Sequence, residues 1–288
     1  MPNNFYDREY DPKLNIPNYK EYFARWKIAS VNAHNQSTAK LNLSYGPTDE
    51  ETLDYFPAQQ DKSPLLVFVH GGYWRAFNKS DFSWIARPYV ASGISVAIIN
   101  YGLAPQVALS EIVTQVRRSM TWLQGNSSEL NFDPERIVYS GHSAGGHLTA
   151  MLLATHCSDS DNMTPTQPLR AVIAVSGIFD LEPISKAPFL QSDLRLDTET
   201  IRELSPVNLS PASDTPLFTV VGQLESNEFH RQSKLIQRRW GDSIVLGPII
   251  IEGANHFDVC DIFADINSSL FQSTCSLCFG NPSLDIFG

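Results

Sequence analysis

Ser143 sits between two glycines in Gly141-His142-Ser143-Ala144-Gly145, a G-x-S-x-G pattern. The bare pattern recurs by chance in about one chain of this length in ten. Its context is more telling. The apolar run Arg136–Ser140 leads straight in, and an Ala- and Leu-rich stretch, Ala144–His156, leads straight out. That is the strand-turn-helix setting of a nucleophile elbow, in which small flanking residues permit a turn tight enough to expose a serine hydroxyl. A serine held there can attack a carbonyl carbon if a base takes its proton and N–H groups hold the oxyanion.

Donors for an oxyanion are expected where a second apolar strand, Leu65–Val69, runs into His70-Gly71-Gly72-Tyr73-Trp74. Glycines there let the backbone come close to a substrate. Gly72 is assigned as one donor with Gly71 beside it, and the N–H of Ala144 as the other. Tyr73 and Trp74 are read as pocket walls, with a packed core position as the alternative for Trp74, and His70 as a brace for the loop. His142 and His147 are read as scaffold, because a base must reach the serine from another segment.

The base should follow the last strand. Ile244–Ile251 leads into Glu252-Gly-Ala-Asn-His256, so His256 is the candidate, ahead of His34, His156 and His230. The acid should follow the penultimate strand, Leu217–Val221. Glu225 is the only carboxylate there before the next helix. It would fix the imidazole tautomer and stabilise the imidazolium. Asp180 and Asp214 are the rivals. Asp180 suits a cap at Leu181, and Glu228 suits the first turn of the following helix.

These residues need a scaffold, and the chain alternates strands with helices. Strands are expected at Leu41–Tyr45, Thr52–Phe56, Leu65–Val69, Ile94–Ile99, Arg136–Ser140, Ala171–Val175, Leu217–Val221 and Ile244–Ile251. Helices are expected at 18–34, Ser80–Ala91 with Ser80 as cap, Leu109–Gln124, Ala144–His156, Asn227–Trp240 and His256–Leu270. This predicts an α/β fold: a mostly parallel sheet covered by helices on both faces, with the first two strands as an antiparallel edge. Residues 1–17 read as irregular. Tyr19, Tyr22, Phe23 and Trp26 form an aromatic stripe that packs on the core or roofs the site. The proline-rich stretch 181–213 reads as a cap insertion of short helices. One domain over residues 1–288 is expected, with 1–36 as an N-terminal segment carrying a lid helix.

The net charge of −10, with no Lys/Arg-rich run, argues against nucleic acid or an anionic membrane as partner. No apolar run approaches the ~20 residues of a membrane helix. The N-terminus lacks the basic and apolar regions of a signal peptide, so a cytoplasmic protein is expected. Cys157, Cys260, Cys275 and Cys278 are too few for a disulfide framework, and the lone C-x-x-C lacks further ligands for zinc. No metal and no cofactor are expected. The expected partner is a small-molecule substrate. Oligomeric state is left open, a homodimer being one option.

With these residues placed, the sequence resembles the kynurenine formamidase (arylformamidase) branch of the α/β-hydrolases, bacterial members in particular. His70-Gly-Gly-Tyr-Trp74 fits the branch's HGGxW. Gly141–His147, Ser176–Leu181, Val221–Ser233 and Asn255–Asp258 resemble its other motifs. The likeness spans about residues 40–270. It implies an α/β-hydrolase fold and a serine hydrolase that takes a small acyl group from an aryl amide or ester, an aryl formamide of the N-formylkynurenine type above all. Asn100–Pro105 resembles the wider hormone-sensitive-lipase-like group, whose members include short-chain carboxylesterases, the alternative. Animal members carry Asp as the acid, where this chain has Glu225.

Overall fold

Four strands are buried along their whole length: β3 (Ser63–Val69), β4 (Ser95–Ile99), β6 (Ala171–Val175) and β7 (Leu217–Gly222). Continuous apolar runs of this kind suit strands covered on both faces. With β1 (Lys40–Ser44), β2 (Thr52–Phe56), β5 (Phe132–His142) and β8 (Val245–Ile251) they form one eight-stranded sheet. Its order is β1-β2-β4-β3-β5-β6-β7-β8. β1 and β2 pair antiparallel at one edge, and every pairing from β4 to β8 is parallel. The computed structural model describes residues 4–35, 38–155 and 168–280; His156 and Cys157 lie outside them.

Side chains alternate across the sheet into two cores. Leu65, Val67 and Val69 enter one with Ile112, Val116, Leu148 and Ile236 of the helices Leu109–Gly125, Ala144–Leu153 and Asn227–Trp240. Leu66 and Phe68 enter the other, with Tyr22 and Trp26 of the helix Tyr19–Asn35 and with the helices Ala86–Ala91, Asp258–Phe263 and Ser269–Phe279. Among the described residues no helix is long and apolar enough to cross a membrane.

Three local expectations fail. Residues 1–17 are not irregular throughout: Phe5–Tyr10 and Pro12–Asn15 are short helices, capped by Asn4 and Asp11, with Pro12 in the first turn of the second. Such caps supply acceptors for first-turn N–H groups, and proline loses nothing there. Ser80 is not a cap. Asn78 fills that role for the 3₁₀ turn Lys79–Asp81, and the α-helix begins only at Ala86. The last helix is two helices. Asp265 accepts from the N–H of Asn267, and the Ser268 side chain caps the second helix, which carries Cys275 and Cys278 as free thiols.

Candidate active site

The loops that follow β3, β5, β6, β7 and β8 all leave the C-terminal edge of the parallel sheet, where open α/β sheets place ligands. β5 ends at His142, and Ser143 turns the chain into the helix Ala144–Leu153 with φ 56° and ψ −116°. A non-glycine residue rarely adopts such a conformation, and its surroundings impose it. The turn is tight because its neighbours touch. A Cβ on Gly145 would stand 2.0 Å from the Val69 carbonyl oxygen, and one on Gly141 would stand 2.3 Å from that of Gly145. Ser143 N–H donates to the Val175 carbonyl at 2.8 Å, tying the elbow to β6.

His256 follows β8 and Glu225 follows β7, and the two side chains meet. His256 Nδ1 lies 2.6 Å from Glu225 Oε2. The other carboxylate oxygen accepts from Ser176 Oγ at 2.6 Å and from Gly222 N–H at 2.7 Å. The Glu225 side chain is fully buried, so these three donors replace the water it has lost. A carboxylate can only accept here, so His256 carries its proton on Nδ1 and presents Nε2 as a lone pair. Phe229 packs on the His256 ring with centroids 4.6 Å apart. Ser143 and His256 both face a cavity of about 350 Å³; no hydrogen bond joins the two side chains.

Gly71, Gly72 and Tyr73 line the same cavity. Gly72 takes φ +104°, and Tyr73, Trp74 and Phe77 also have positive φ, so the loop is wound tightly around the glycines. Gly71 packs so closely that an added Cβ would be 2.8 Å from the His142 carbonyl oxygen. His70 braces this loop: Nδ1 bonds the Gly71 carbonyl at 2.8 Å, and the ring stacks on Tyr101 at 4.3 Å. Tyr101 in turn donates to the His70 carbonyl at 2.8 Å. Burial pushes the His70 imidazole down to about 4.

Trp74 takes the core position, not that of a pocket wall. It is fully buried and is not part of the cavity lining; it stands edge-on to His147 at 5.0 Å. Its indole also meets the Tyr73 ring edge-on at 6.2 Å. His147 bonds the Leu204 carbonyl through Nε2, which fits a scaffold role. His142 does more than that, since it lines the cavity.

Two parts of the aromatic stripe divide the work. Phe23 and Trp26 line the cavity, whereas Tyr22 turns to the His256 loop. Tyr22 OH donates to Asp258 at 2.6 Å and accepts from Asn255 at 3.2 Å. Trp26 Nε1 donates to Asp261 at 2.6 Å. Earlier in the chain, Tyr10 OH donates to Glu228 at 2.5 Å and its carbonyl accepts from Tyr73 OH. Phe189, from the 181–213 stretch, adds a further wall.

The rival acids point elsewhere. Asp180 pairs with Arg231 at 3.1 Å and accepts from the Glu182 N–H. Asp214 is exposed ahead of β7, at the opposite end of the strand from Glu225. Glu228 is held by Tyr10 and Arg231. Ser176 escaped a reading based on sequence order, because nothing in its spacing marks it as a partner of a residue 49 positions later.

The family model described as BD-FAE matches residues 53–240. A kynurenine formamidase from Salmo salar is 30% identical over 264 residues, 88% of this chain and 86% of its own length. One from Danio rerio is 32% identical over 216 residues, covering 72% of this chain and 71% of its own. Among solved structures, a Silicibacter sp. protein described provisionally as a thioesterase superposes with a TM-score of 0.81 at 31% identity, over 93% of this chain and 98% of its own. The sheet order, the serine elbow at its C-terminal edge and these likenesses agree: the chain belongs to the kynurenine formamidase-like, BD-FAE-matching branch of the α/β-hydrolases.

Proposed function

We propose that this hydrolase removes a small acyl group, formyl above all, from an aromatic amine through a Ser143–His256–Glu225 triad. The observation that carries the reading is the 2.6 Å Glu225–His256 bond beside a serine held at φ 56° in the wall of the same cavity. His256 Nε2 takes the proton of Ser143 Oγ as the oxygen attacks the acyl carbon. The N–H groups of Gly72 and Ala144, with Gly71 beside them, hold the oxyanion. Glu225 stabilises the imidazolium, which then gives its proton to the leaving nitrogen. A water activated by His256 releases the acid from the acyl-enzyme and restores Ser143. These side chains and water suffice for the chemistry.

An aromatic leaving group is supported by the cavity walls Phe23, Trp26, Phe77, Phe189 and Phe257, which offer flat apolar faces. The names of the relatives from Salmo salar and Danio rerio point the same way. A second reading, a short-chain carboxylesterase, rests on Asn100–Pro105, whose Tyr101 braces the oxyanion loop, and on the same triad chemistry. Fluorophosphonate labelling mapped to Ser143 tests the triad. Side-by-side kinetics on an aryl formamide and on aryl esters of short acids separate the two readings. Absence of label on Ser143 in active enzyme would overturn the triad, and esters alone being cleaved would leave the esterase.

A further inference from the structure

We propose that His142, the residue between Gly141 and the nucleophile, accepts the N–H of a scissile amide at its Nδ1 and thereby favours amides over the matching esters. The proposal rests on the triad reading above. His142 is only 4% exposed, yet its ring forms part of the cavity wall. Nε2 lies 2.8 Å from the His256 carbonyl oxygen. A carbonyl oxygen only accepts, so Nε2 bears the ring proton and Nδ1 keeps a lone pair. Burial, with His256 alongside, holds this imidazole well below its ordinary range and therefore neutral.

That lone pair has no hydrogen-bond partner among the described residues. The orphaned nitrogens His70 Nε2 and His147 Nδ1 are sealed in the core, whereas His142 Nδ1 is not among the sealed atoms. Its position is also defined. The point where a Cβ on Gly71 would stand is 3.2 Å from His142 Nδ1 and 3.1 Å from Ser143 Cβ. The His142 and His256 rings are 4.6 Å apart. Nδ1 is thus flanked by nucleophile, base and oxyanion loop.

Amide cleavage needs an acceptor in such a place. The Ser143 Oγ–carbon bond forms, the serine proton passes through His256 to the leaving nitrogen, and the carbon–nitrogen bond breaks to free the amine. To receive that proton the nitrogen must turn its lone pair toward His256, which turns its own N–H away. Inside a cavity an N–H without an acceptor is penalised. An ester oxygen carries no hydrogen and needs no such partner. His142 exchanges no proton in the cycle; it orients and accepts.

The test compares kcat/KM for p-nitroformanilide and p-nitrophenyl formate in the full chain. In His142→Leu the amide-to-ester ratio should fall about 10- to 100-fold. His142→Gln, which keeps an N–H for the His256 carbonyl and adds a carbonyl acceptor, should recover part of that ratio. Fluorophosphonate labelling of Ser143 reports whether each variant retains a competent site. An unchanged ratio in a variant that still labels would overturn the proposal. So would a wild-type enzyme that labels at Ser143 and cleaves the formate but not the formanilide. Failure of the wild-type enzyme to label would instead overturn the triad on which the proposal rests.

Discussion

Ser143→Ala takes away the attacking oxygen and leaves the elbow backbone in place. Activity should drop on the order of 10³-fold or more, with an unchanged circular dichroism spectrum, since oxyanion donors alone sustain only weak catalysis. Near-normal turnover by the folded variant would remove Ser143 from the mechanism. Glu225→Gln is expected to cost on the order of 10²- to 10⁴-fold. Three donors converge on that carboxylate: Ser176 Oγ, Gly222 N–H and His256 Nδ1. An amide must set an N–H against one of them, and it cannot stabilise the imidazolium. Asp180→Asn should leave kcat within a few-fold, because Asp180 serves Arg231 and the Glu182 N–H. A crippled Asp180→Asn beside an active Glu225→Gln would reverse the acid assignment.

At the scale of elements, the helix Tyr19–Asn35 meets the loop after β3 at one wall of the cavity: Phe23 stands edge-on to Phe77 with centroids 4.9 Å apart, and Trp26 and Tyr73 line the same space. Under the proposed function, a formyl or acetyl group is expected to sit against these aromatic walls and a long acyl chain to strike them. p-Nitrophenyl acetate should therefore exceed the octanoate in kcat/KM by about 10- to 200-fold, and equal rates would show that the walls part easily. The fully buried strands β3, β4, β6 and β7 were legible in the sequence because strands covered on both faces are continuous apolar runs, and β1 and β2 because the turn residues Gly46, Pro47 and Asp49 separate them. The places of Ser143, Glu225 and His256 just past the ends of β5, β7 and β8 were legible because chain order and strand ends locate them. The core position of Trp74 was not, since its contact with His147 exists only once the loop after β3 packs on the helix Ala144–Leu153. Nor was Ser176, whose role exists only once β6 lies beside β7. The short helices Phe5–Tyr10 and Pro12–Asn15 hid behind prolines that suggested a coil, although Pro12 occupies a position where helices tolerate it.

Across the described residues, burial holds three imidazoles below their ordinary range: His70, His142 and His147. Burial lowers His70 and His147 from 6.5 to about 4 and puts His142 well below 6.5. The unfolded chain binds protons on these residues as pH falls below about 6.5, while the native protein does so on His70 and His147 only near 4. Their stabilising effect is therefore complete above 6.5 and is lost between 6.5 and 4, at about 3 kcal/mol for each of His70 and His147. Tm should fall steeply across that window, and His147→Gln should flatten the slope; a Tm that stays level from pH 7 to pH 4 would contradict the burial argument. The clasp made by the first helices carries a consequence for the order in which the protein comes into being. Tyr10 waits for Glu228, 218 positions later, and Tyr22 for Asp258, 236 positions later. During synthesis, residues that emerge early stay without their partners until nearly the entire sheet has been made. Contacts of such long sequence separation close late and slowly. The nascent chain therefore spends most of its synthesis with the hydroxyls of Tyr10 and Tyr22 unpaired, and hydrolytic competence arrives as one of its last acquisitions.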